Sequence, residues 1–156
     1  MLSQSAGYAA TALAFIAAMG GKPVRVKAIA EACDIPTAYL AKIVHALARK
    51  NLVLTQRGVG GGVELARPSQ EILLRDICLA LDDPLVRPRC MFGHAQCAQD
   101  RACPAHEFCL SYRGRLTEFL EKTTIADIAA FETTRRWRAG NAPAPPGSQT
   151  PANSSS

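Results

Sequence analysis

The sequence IPTAYLAKIVHALARKNLVLTQRGVGGGVEL (residues 35–65) joins a helical pattern to a hairpin pattern and decides the fold. Four apolar residues in its first half have the i, i+3, i+4, i+7 spacing of a buried helix face: Leu40, Ile43, Val44 and Leu47. Residues 26–33, just upstream, show the same spacing. Because Pro36 cannot lie inside a helix, the two segments predict two helices joined by a tight turn, which is a helix-turn-helix.

The opposite face of the second of these helices is small and basic. It carries four residues in helical register: Ala38, Lys42, His45 and Arg49. Small residues allow a helix to approach a groove closely, and Lys or Arg side chains can reach phosphates and base edges. The pattern therefore favours a recognition helix for DNA, although a solvated charged surface has the same pattern.

Residues 52–65, LVLTQRGVGGGVEL, predict a β-hairpin directly after this helix. The tip is rich in glycine, at positions 58, 60, 61 and 62, and Arg57 lies at its base. A hairpin in this place is a wing, and a basic residue on it can enter the minor groove, where negative potential is concentrated. A phosphate-binding loop is not favoured, because neither G-x-x-x-x-G-K-[ST] nor a strand–G-x-G-x-x-G–helix arrangement is present.

The formal net charge of +5 lies in the N-terminal part of the chain. Residues 1–67 contain eight Lys or Arg and three Asp or Glu, whereas residues 68–156 contain ten of each class. This excess favours a polyanionic partner for the N-terminal part. The longest apolar run, residues 9–19, is shorter than the ~20 residues of a membrane span, and no basic residue precedes it as in a signal peptide. We therefore expect a cytoplasmic protein with no membrane partner.

The other segments predict further helices. Residues 3–19 begin with Ser3 as a helix N-cap, and residues 72–81, 104–122 and 125–138 are amphipathic. The 104–122 helix carries an apolar stripe, formed by Cys109, Tyr112, Leu116, Phe119 and Leu120. The stripe is too long for the local core of so small a domain and predicts a dimer interface. The tail, residues 139–156, is rich in Pro, Gly and Ser and is expected to be disordered.

Residues 90–109, CMFGHAQCAQDRACPAHEFC, contain four of the six cysteines and two of the three histidines. Cys33 and Cys78 lie on apolar helix faces and are expected in the core. A cytoplasmic location disfavours disulfides, and the spacing C-x6-C-x5-C-x2-H lacks the C-x2–4-C pairs of most zinc sites. Because wide gaps suit a cluster of several iron ions held by thiolates, with His as a known replacement, the spacing favours iron–sulfur while zinc stays open.

Several of these segments together resemble the Rrf2 family of winged-helix regulators, over about residues 2–131. The resemblance is carried by GYAATALAFIA (7–17), IPTAYLAKIVHALARKNLV (35–53), RGVGGGVEL (57–65), LLRDICLAL (73–81) and the three cysteines followed by PAH (104–106). It implies a homodimer that binds pseudo-palindromic, double-stranded promoter DNA. It also implies one iron–sulfur cluster per subunit near the dimer helix.

The resemblance also implies site residues. The implied cluster ligands are Cys90, Cys97, Cys103 and His106, with Cys109 the first alternative to His106, and His94, water or a small thiol after it. The first gap, six residues, is one longer than in two branches of the family, and Gly7 stands where some members carry an acidic ligand. The resemblance aligns Tyr39, Lys42 and Arg57 with DNA-contacting positions. Together with the outer face of the recognition helix and the wing, the predicted DNA-binding residues are Thr37, Ala38, Tyr39, Lys42, His45, Arg49, Arg57 and Gly60. Tyr39 can equally be a packing residue.

We therefore predict a mainly α protein in three ordered parts. Residues 1–83 form a winged helix-turn-helix DNA-binding domain with a small β-hairpin wing, residues 84–103 a cysteine-rich cluster-binding loop, and residues 104–138 a long dimerisation helix and a C-terminal helix. The predicted function is a transcriptional regulator, expected to be a repressor, whose promoter affinity depends on a two-iron or four-iron cluster sensing iron, redox state or nitric oxide. The alternatives are a zinc- or thiol-based redox switch and an iron–sulfur electron carrier. An enzyme and a small-molecule substrate are not expected.

Overall fold

Helices dominate the computed structural model, which describes residues 1–87, 90–93 and 103–135. Within these ranges the helices are α1 (Gln4–Ala18), α2 (Val26–Cys33), α3 (Thr37–Arg49), α4 (Leu74–Ala80), α5 (His106–Lys122) and α6 (Ile125–Arg135). Strands β1 (Val53–Gln56) and β2 (Gly62–Leu65) form an antiparallel hairpin between α3 and α4, and two short 3₁₀ helices, Ser69–Glu71 and Pro84–Val86, flank α4. This order confirms the predicted mainly α, winged helix-turn-helix fold.

The turn between α2 and α3 forms as the sequence predicts. Asp34 ends α2 in the left-handed conformation, with a φ of 55°, which is tolerated by Asp better than by most residues. The Ile35 N–H then donates to the Ala30 carbonyl at 2.9 Å. Pro36 is the N-cap residue of α3, where its missing N–H costs no helical hydrogen bond. The turn directs the apolar face of α3 into the core.

One hydrophobic core joins all the helices of the described ranges. Its largest fully buried side chains come from α1, α2, α3, the wing, α4 and the α5–α6 region: Leu13, Ile16, Ile29, Leu40, Leu47, Val53, Val63, Ile72, Ile77 and Ile125. Cys33 and Cys78 lie in this core, which confirms their prediction. Burial of this apolar surface is the main force that holds the helix-turn-helix and the C-terminal helices together.

The C-terminal helices are attached to the N-terminal ones by α1 and by backbone hydrogen bonds. Alanines line the buried part of α1, which packs against α6 as well as against α2, α3 and α4. Small side chains allow such close approach on several sides. The Leu74 N–H donates to the Thr123 carbonyl and the Ile125 N–H to the Ile72 carbonyl, each at 2.9 Å. The predicted boundaries at residues 83 and 104 stay predictions, but one core extends across both.

The apolar stripe predicted on α5 separates into two groups. Leu120 and Cys109 are buried within the chain and Leu116 is half-buried, whereas Tyr112 and Phe119 stay exposed. The helix begins at His106 because Pro104 and Ala105 form the preceding turn. The predicted end of the last helix at residue 138 and the predicted tail lie outside the described residues. In the described ranges, no helix has the length and apolar composition needed to cross a membrane.

Candidate nucleic-acid interface and metal-binding segment

The outer face of α3 is exposed and basic. Opposite the buried apolar face, the side chains of Thr37, Ala38, Lys42, His45 and Arg49 are exposed to solvent. Among the salt bridges of the described ranges, none involves Lys42 or Arg49. Both charges are therefore available to phosphates, and the small Ala38 leaves the first turn of the helix open to a close approach.

Tyr39 differs from the other predicted DNA-binding residues because it is half-buried. Its hydroxyl shares a 2.7 Å hydrogen bond with Ser5 Oγ. Its ring packs edge-on against the ring of Tyr8, with centroids 5.8 Å apart and an interplanar angle of 82°. Both partners lie in the first turns of α1. Tyr39 therefore connects the first turn of α3 to α1, as the packing interpretation of this residue predicts, while its DNA contact stays a prediction.

The wing presents one charged side chain at its tip. The strands pair from Val53 with Leu65 to Gln56 with Gly62. Gly60 has a φ of 77°, in the left-handed region that favours glycine, and the Gly61 N–H closes the tip by donating to the Gly58 carbonyl at 3.1 Å. Arg57 and Gly60 are exposed. The geometry gives Gly60 a backbone role, and Arg57 is the side chain that can reach into a groove.

Two of the three predicted cluster cysteines lie in the described ranges. Cys90 begins a turn in which its carbonyl accepts from the Gly93 N–H at 3.0 Å. Cys103 begins the turn into α5, and its carbonyl accepts from the His106 N–H at 3.0 Å. Both cysteine side chains are partly exposed. Cys97 and His94 lie outside the described residues, and in the part of the chain that is described no three Cys, His, Asp or Glu side chains form a metal-binding group.

The donor set fits the cluster that the resemblance implies. Cys103 and His106 fall within one turn at the start of α5, so a cysteine sulfur and an imidazole lie at the same end of this helix. Thiolates with a histidine replacement are ligands of iron–sulfur clusters. Cys90 and Cys103 are partly exposed, so both sulfur atoms are accessible from solvent. The residues present are therefore chemically suited to such a cluster.

The other described cysteines have different surroundings. Burial and the nearby Asp83 charge raise the pKa of Cys78 to about 11, so this thiol is neutral near pH 7 and poorly suited to metal binding. The Cys33 thiol donates to the Thr11 carbonyl at 3.9 Å. Cys109 is buried beside a groove lined by Met91, Phe108 and Leu116. Among these three, only Cys109 lies near the predicted ligands in the chain.

Asp83 is a buried acidic residue that the sequence interpretation missed. Its side chain accepts from the Ser3 N–H at 2.8 Å and from the Leu85 N–H at 2.9 Å. Burial alone raises its pKa, but the hydrogen bonds from the Ser3 side chain and from these two backbone N–H groups outweigh burial, and the pKa is lowered. In the sequence, Asp82-Asp83-Pro84 indicates only the end of a helix; the contact with Ser3 is not visible there.

Comparisons with known proteins agree with this arrangement. The family described as Rrf2, iron-dependent transcriptional regulator, matches residues 2–130. The HTH-type transcriptional regulator IscR of Sodalis glossinidius is 32% identical over 132 residues, which cover 84% of this chain and 79% of that protein. Two solved structures are similar in fold, each at 24% identity. CymR, the global cysteine regulator of B. subtilis, has a TM-score of 0.69 over 84% of this chain and 97% of that one. IscR of T. potens has a TM-score of 0.68 over 87% of this chain and 90% of that one.

The helix-turn-helix, the wing and the family match over residues 2–130 lead to one conclusion. The chain is a DNA-binding transcriptional regulator, and it belongs to the Rrf2 family.

Proposed function

We propose that this regulator binds promoter DNA as a homodimer and that an iron–sulfur cluster controls its affinity for that DNA. The proposed ligands are Cys90, Cys97, Cys103 and His106. The observation that carries the proposal is the position of Cys103 and His106 in the turn that begins α5, a helix with an exposed aromatic face. Ligand loss in this turn changes the start of the helix that we assign to subunit contact.

Iron–sulfur is favoured over zinc by two independent considerations. The family to which the chain belongs is described as iron-dependent. The gaps of six and five residues between the cysteines suit a cluster better than a single ion. A bound cluster supplies a centre that iron supply, oxidants or nitric oxide can alter. Cys90 and Cys103 hold the two ends of the segment between them, so loss of their ligation releases both the segment and the turn before α5.

The exposed aromatic face of α5 supports a second copy of the chain as its partner. At least half of the surface of each of three aromatic side chains is exposed: Phe108 is 62% exposed, Tyr112 50% and Phe119 55%. The rings of Phe108 and Tyr112 stack on each other, with centroids 6.3 Å apart. Aromatic residues in an exposed row on one helix are typical of an interface. In a two-fold dimer through α5, the two copies of α3 must match half-sites about 34 Å apart.

DNA binding in this proposal uses two surfaces. The exposed face of α3, with Thr37, Ala38, Lys42, His45 and Arg49, enters the major groove, and Tyr39 borders it. Arg57 and Gly60 on the wing approach the adjacent minor groove. Because the contacts include phosphates, we expect affinity to fall steeply with salt. We expect the cytoplasm as the place of action and repression as the effect on transcription.

A second candidate is a thiol switch that uses the same cysteines without a metal. The partial exposure of Cys90 and Cys103 favours it, because oxidants can reach both thiols. In that case oxidation replaces cluster loss as the event that changes the segment between them. The two candidates share the DNA-binding surfaces and differ only in what occupies the cysteines.

Purification without oxygen tests the proposal. We expect a coloured protein with iron and acid-labile sulfide and little zinc. Selection from random duplexes supplies an operator, and titration of that operator compares the loaded protein with protein stripped of iron by a chelator. A triple Cys90→Ser, Cys97→Ser, Cys103→Ser variant should lack iron and should bind the operator equally well before and after treatment with the chelator. Cys33→Ala is the matched cysteine control.

Three results separate the candidates. Iron and sulfide with a chelator-dependent affinity support the cluster. A colourless protein whose affinity changes with oxidant alone contradicts the cluster and supports the thiol switch. A triple variant that keeps the full response of the natural chain contradicts both candidates, and only an ordinary winged repressor remains.

A further inference from the structure

We infer that the first turn of α1 couples the cysteine segment to the recognition helix α3, with Asp83 and Tyr39 as positioning residues at its two ends. The inference rests on the proposed function, because it assumes that the cysteine segment controls DNA binding. It assigns roles to Ser3, Ser5, Tyr39 and Asp83. No part of this role requires that these residues touch the cluster.

The contacts that run from Asp83 through Ser3 and Ser5 to Tyr39 form a path through the first turn of α1. Its first contact, at Asp83, is the one nearer to the cysteines. Asp83 is seven positions before Cys90 and is 1% exposed, the only charged residue among the buried residues of the described ranges. Its backbone N–H donates to the Cys78 carbonyl at the end of α4, at 2.8 Å. Its side chain caps the 3₁₀ helix Pro84–Val86 through the Leu85 N–H. Asp83 is therefore fixed both to the core and to the segment that leads to Cys90.

The segment that Asp83 caps also lies against α5. Leu85 lines one cavity together with Arg113 and Leu116 of α5 and a second cavity together with Phe108 and Cys109. Leu85 and the start of α5 line the same cavity, so a movement of the start of α5 changes the surroundings of Leu85. Leu85 is joined to the Asp83 carboxylate by one hydrogen bond.

The middle of the path is the first turn of α1. The Ser3 N–H donates to the Asp83 carboxylate at 2.8 Å, across 80 positions of the chain. Ser3 is also the N-cap of α1, and its hydroxyl accepts from the Ala6 N–H at 3.3 Å. Ser5 follows two positions later in the same turn. A rigid helical turn therefore lies between the residue that binds Asp83 and the residue that binds Tyr39.

The far end of the path is the recognition helix. Ser5 Oγ shares its 2.7 Å hydrogen bond with the hydroxyl of Tyr39. Tyr39 is the third residue of α3 and has the exposed Ala38 beside it and the exposed Lys42 one turn later. A displacement of Ser5 is thus transmitted to the turn of α3 that presents the predicted DNA-binding face.

The burial of Asp83 explains why the path transmits movement rather than absorbing it. A buried carboxylate that loses a hydrogen-bond donor, or a buried N–H that loses its acceptor, is strongly destabilised. Loss of the hydrogen bond between Ser3 and Asp83 is therefore costly, and this cost ties the first turn of α1 to the 3₁₀ helix.

Hydroxyl deletion tests the path with little change in packing. Tyr39→Phe removes the bond to Ser5 and keeps the ring that packs on Tyr8. Tyr8→Phe is the matched control, because its hydroxyl accepts from the Gln4 side chain of the same helix at 3.2 Å and has no hydrogen bond to another element among the described residues. The readout is the ratio of operator affinities between iron-loaded and chelator-stripped protein. We expect Tyr39→Phe to lower this ratio by roughly threefold to thirtyfold, and Tyr8→Phe to leave it unchanged.

A double-mutant cycle gives a readout that does not depend on the cluster. Operator affinity is measured for Asp83→Asn, Tyr39→Phe and the double variant, with Ser3→Ala in place of Asp83→Asn if the latter does not fold. Separate, unconnected sites give effects that multiply to within about twofold. We expect a departure larger than this. A merely structural role for either residue lowers the melting temperature without such a departure.

The outcomes distinguish this inference from the proposed function. If the natural chain has equal operator affinity with and without iron, control by the cluster is wrong, and the double-mutant cycle alone decides the coupling. If the natural chain responds to iron and Tyr39→Phe keeps the full response, the coupling is overturned while the proposed function stands. Multiplicative effects in the double-mutant cycle also overturn the coupling.

Discussion

Gly62 lies so close to Val24 that a Cβ atom at position 62 would be 2.6 Å from the Val24 carbonyl oxygen. The contact accompanies a pair of backbone hydrogen bonds, in which the Val24 N–H donates to the Val63 carbonyl at 2.9 Å and the Val63 N–H to the Val24 carbonyl at 2.8 Å. The second strand of the wing is thus fixed to the segment between α1 and α2. A glycine at position 62 therefore permits this close pairing of the wing with Val24.

Gly62→Ala should therefore lower both stability and operator affinity. The added Cβ meets backbone atoms that cannot rotate away, so the pairing with Val24 must open and the wing must turn. We expect a lower melting temperature together with a loss of affinity, measured by thermal unfolding and operator titration. Gly7→Ala in α1 is the matched control, because its Cβ would meet no atom of the described residues within 4 Å. It should stabilise the fold by about 0.5–1 kcal/mol. Unchanged affinity in Gly62→Ala would show that the wing does not contribute to binding.

Arg57→Ala should weaken operator binding by roughly 1–3 kcal/mol if the side chain reads a groove. Lys42→Ala should reduce the dependence of the logarithm of operator affinity on the logarithm of salt concentration by about one if Lys42 contacts a phosphate. Both side chains are exposed, so the losses should occur without loss of stability. Lys122→Ala is the control, since this lysine pairs with Glu118 on α5, in the C-terminal part of the chain. Equal affinities for Arg57→Ala and Lys122→Ala at matched salt would remove Arg57 from the interface.

The local parts of this fold could be predicted from the sequence. The apolar spacing of α2 and α3, Pro36 between them and the glycines of the wing all act within a few residues of one another. The structure confirms them as elements, and it confirms Cys33 and Cys78 as core residues. Short-range sterics and helix periodicity are enough for such features.

The contacts between distant parts of the chain could not be predicted in the same way. The hydrogen bond from the Ser3 N–H to the Asp83 carboxylate joins residues 80 positions apart. The sequence Asp82-Asp83-Pro84 predicts the end of a helix whether or not this hydrogen bond forms. The sequence also predicted only part of the role of the apolar stripe on α5. Helical spacing identifies the apolar residues, but it does not show whether Leu120 packs in the chain's own core or against a partner. Only the tertiary packing of α5 separates the buried Leu120 from the exposed Phe119.

Substitution of the neighbours Phe119 and Leu120 should affect different properties: dimerisation for Phe119 and the stability of the fold for Leu120. Phe119 is 55% exposed and Leu120 is 3% exposed. Phe119→Ser should shift a dimer toward monomers, as measured by analytical ultracentrifugation, because it removes an aromatic ring from the proposed subunit interface. Leu120→Ala should lower the free energy of unfolding by about 2–5 kcal/mol, because it leaves a cavity in the core. A Phe119→Ser variant that stays fully dimeric would exclude this part of α5 from the interface.

Asp83 should make the fold sensitive to acid. Its folded-state pKa is lowered, below the value of about 3.9 for an unfolded Asp. Its stabilising contribution is therefore complete above the unfolded pKa and is lost as the pH falls through the folded-state pKa. Asp83→Ala leaves the N–H groups of Ser3 and Leu85 without this acceptor and should cost roughly 2–3 kcal/mol at pH 7.

Unfolding by urea between pH 3 and pH 7 measures this contribution. The difference in the free energy of unfolding between the natural chain and Asp83→Ala should narrow as the pH falls below about 4. Asp127→Asn is a useful comparison. Hydrogen bonds from the backbone and side chain of Thr124, at the start of α6, also lower the pKa of Asp127. Asp127 caps a single helix, so its replacement should not alter the operator affinity. A constant difference for Asp83→Ala at all pH values would contradict the assignment of a charged, buried carboxylate.

Iron content should distinguish His106 from Cys109 as the fourth ligand. His106 lies one turn from Cys103 at the start of α5 and is half-buried, whereas Cys109 is 8% exposed and faces the groove with Met91 and Phe108. We expect Cys109→Ala to keep its iron and sulfide after anaerobic purification and His106→Ala to lose them faster during dialysis against a chelator. His106→Cys should restore retention with a shifted visible absorption, because a thiolate is itself a cluster ligand. If Cys109→Ala loses iron while His106→Ala keeps it, the ligand is Cys109, and the apolar groove beside α5 is then part of the metal site.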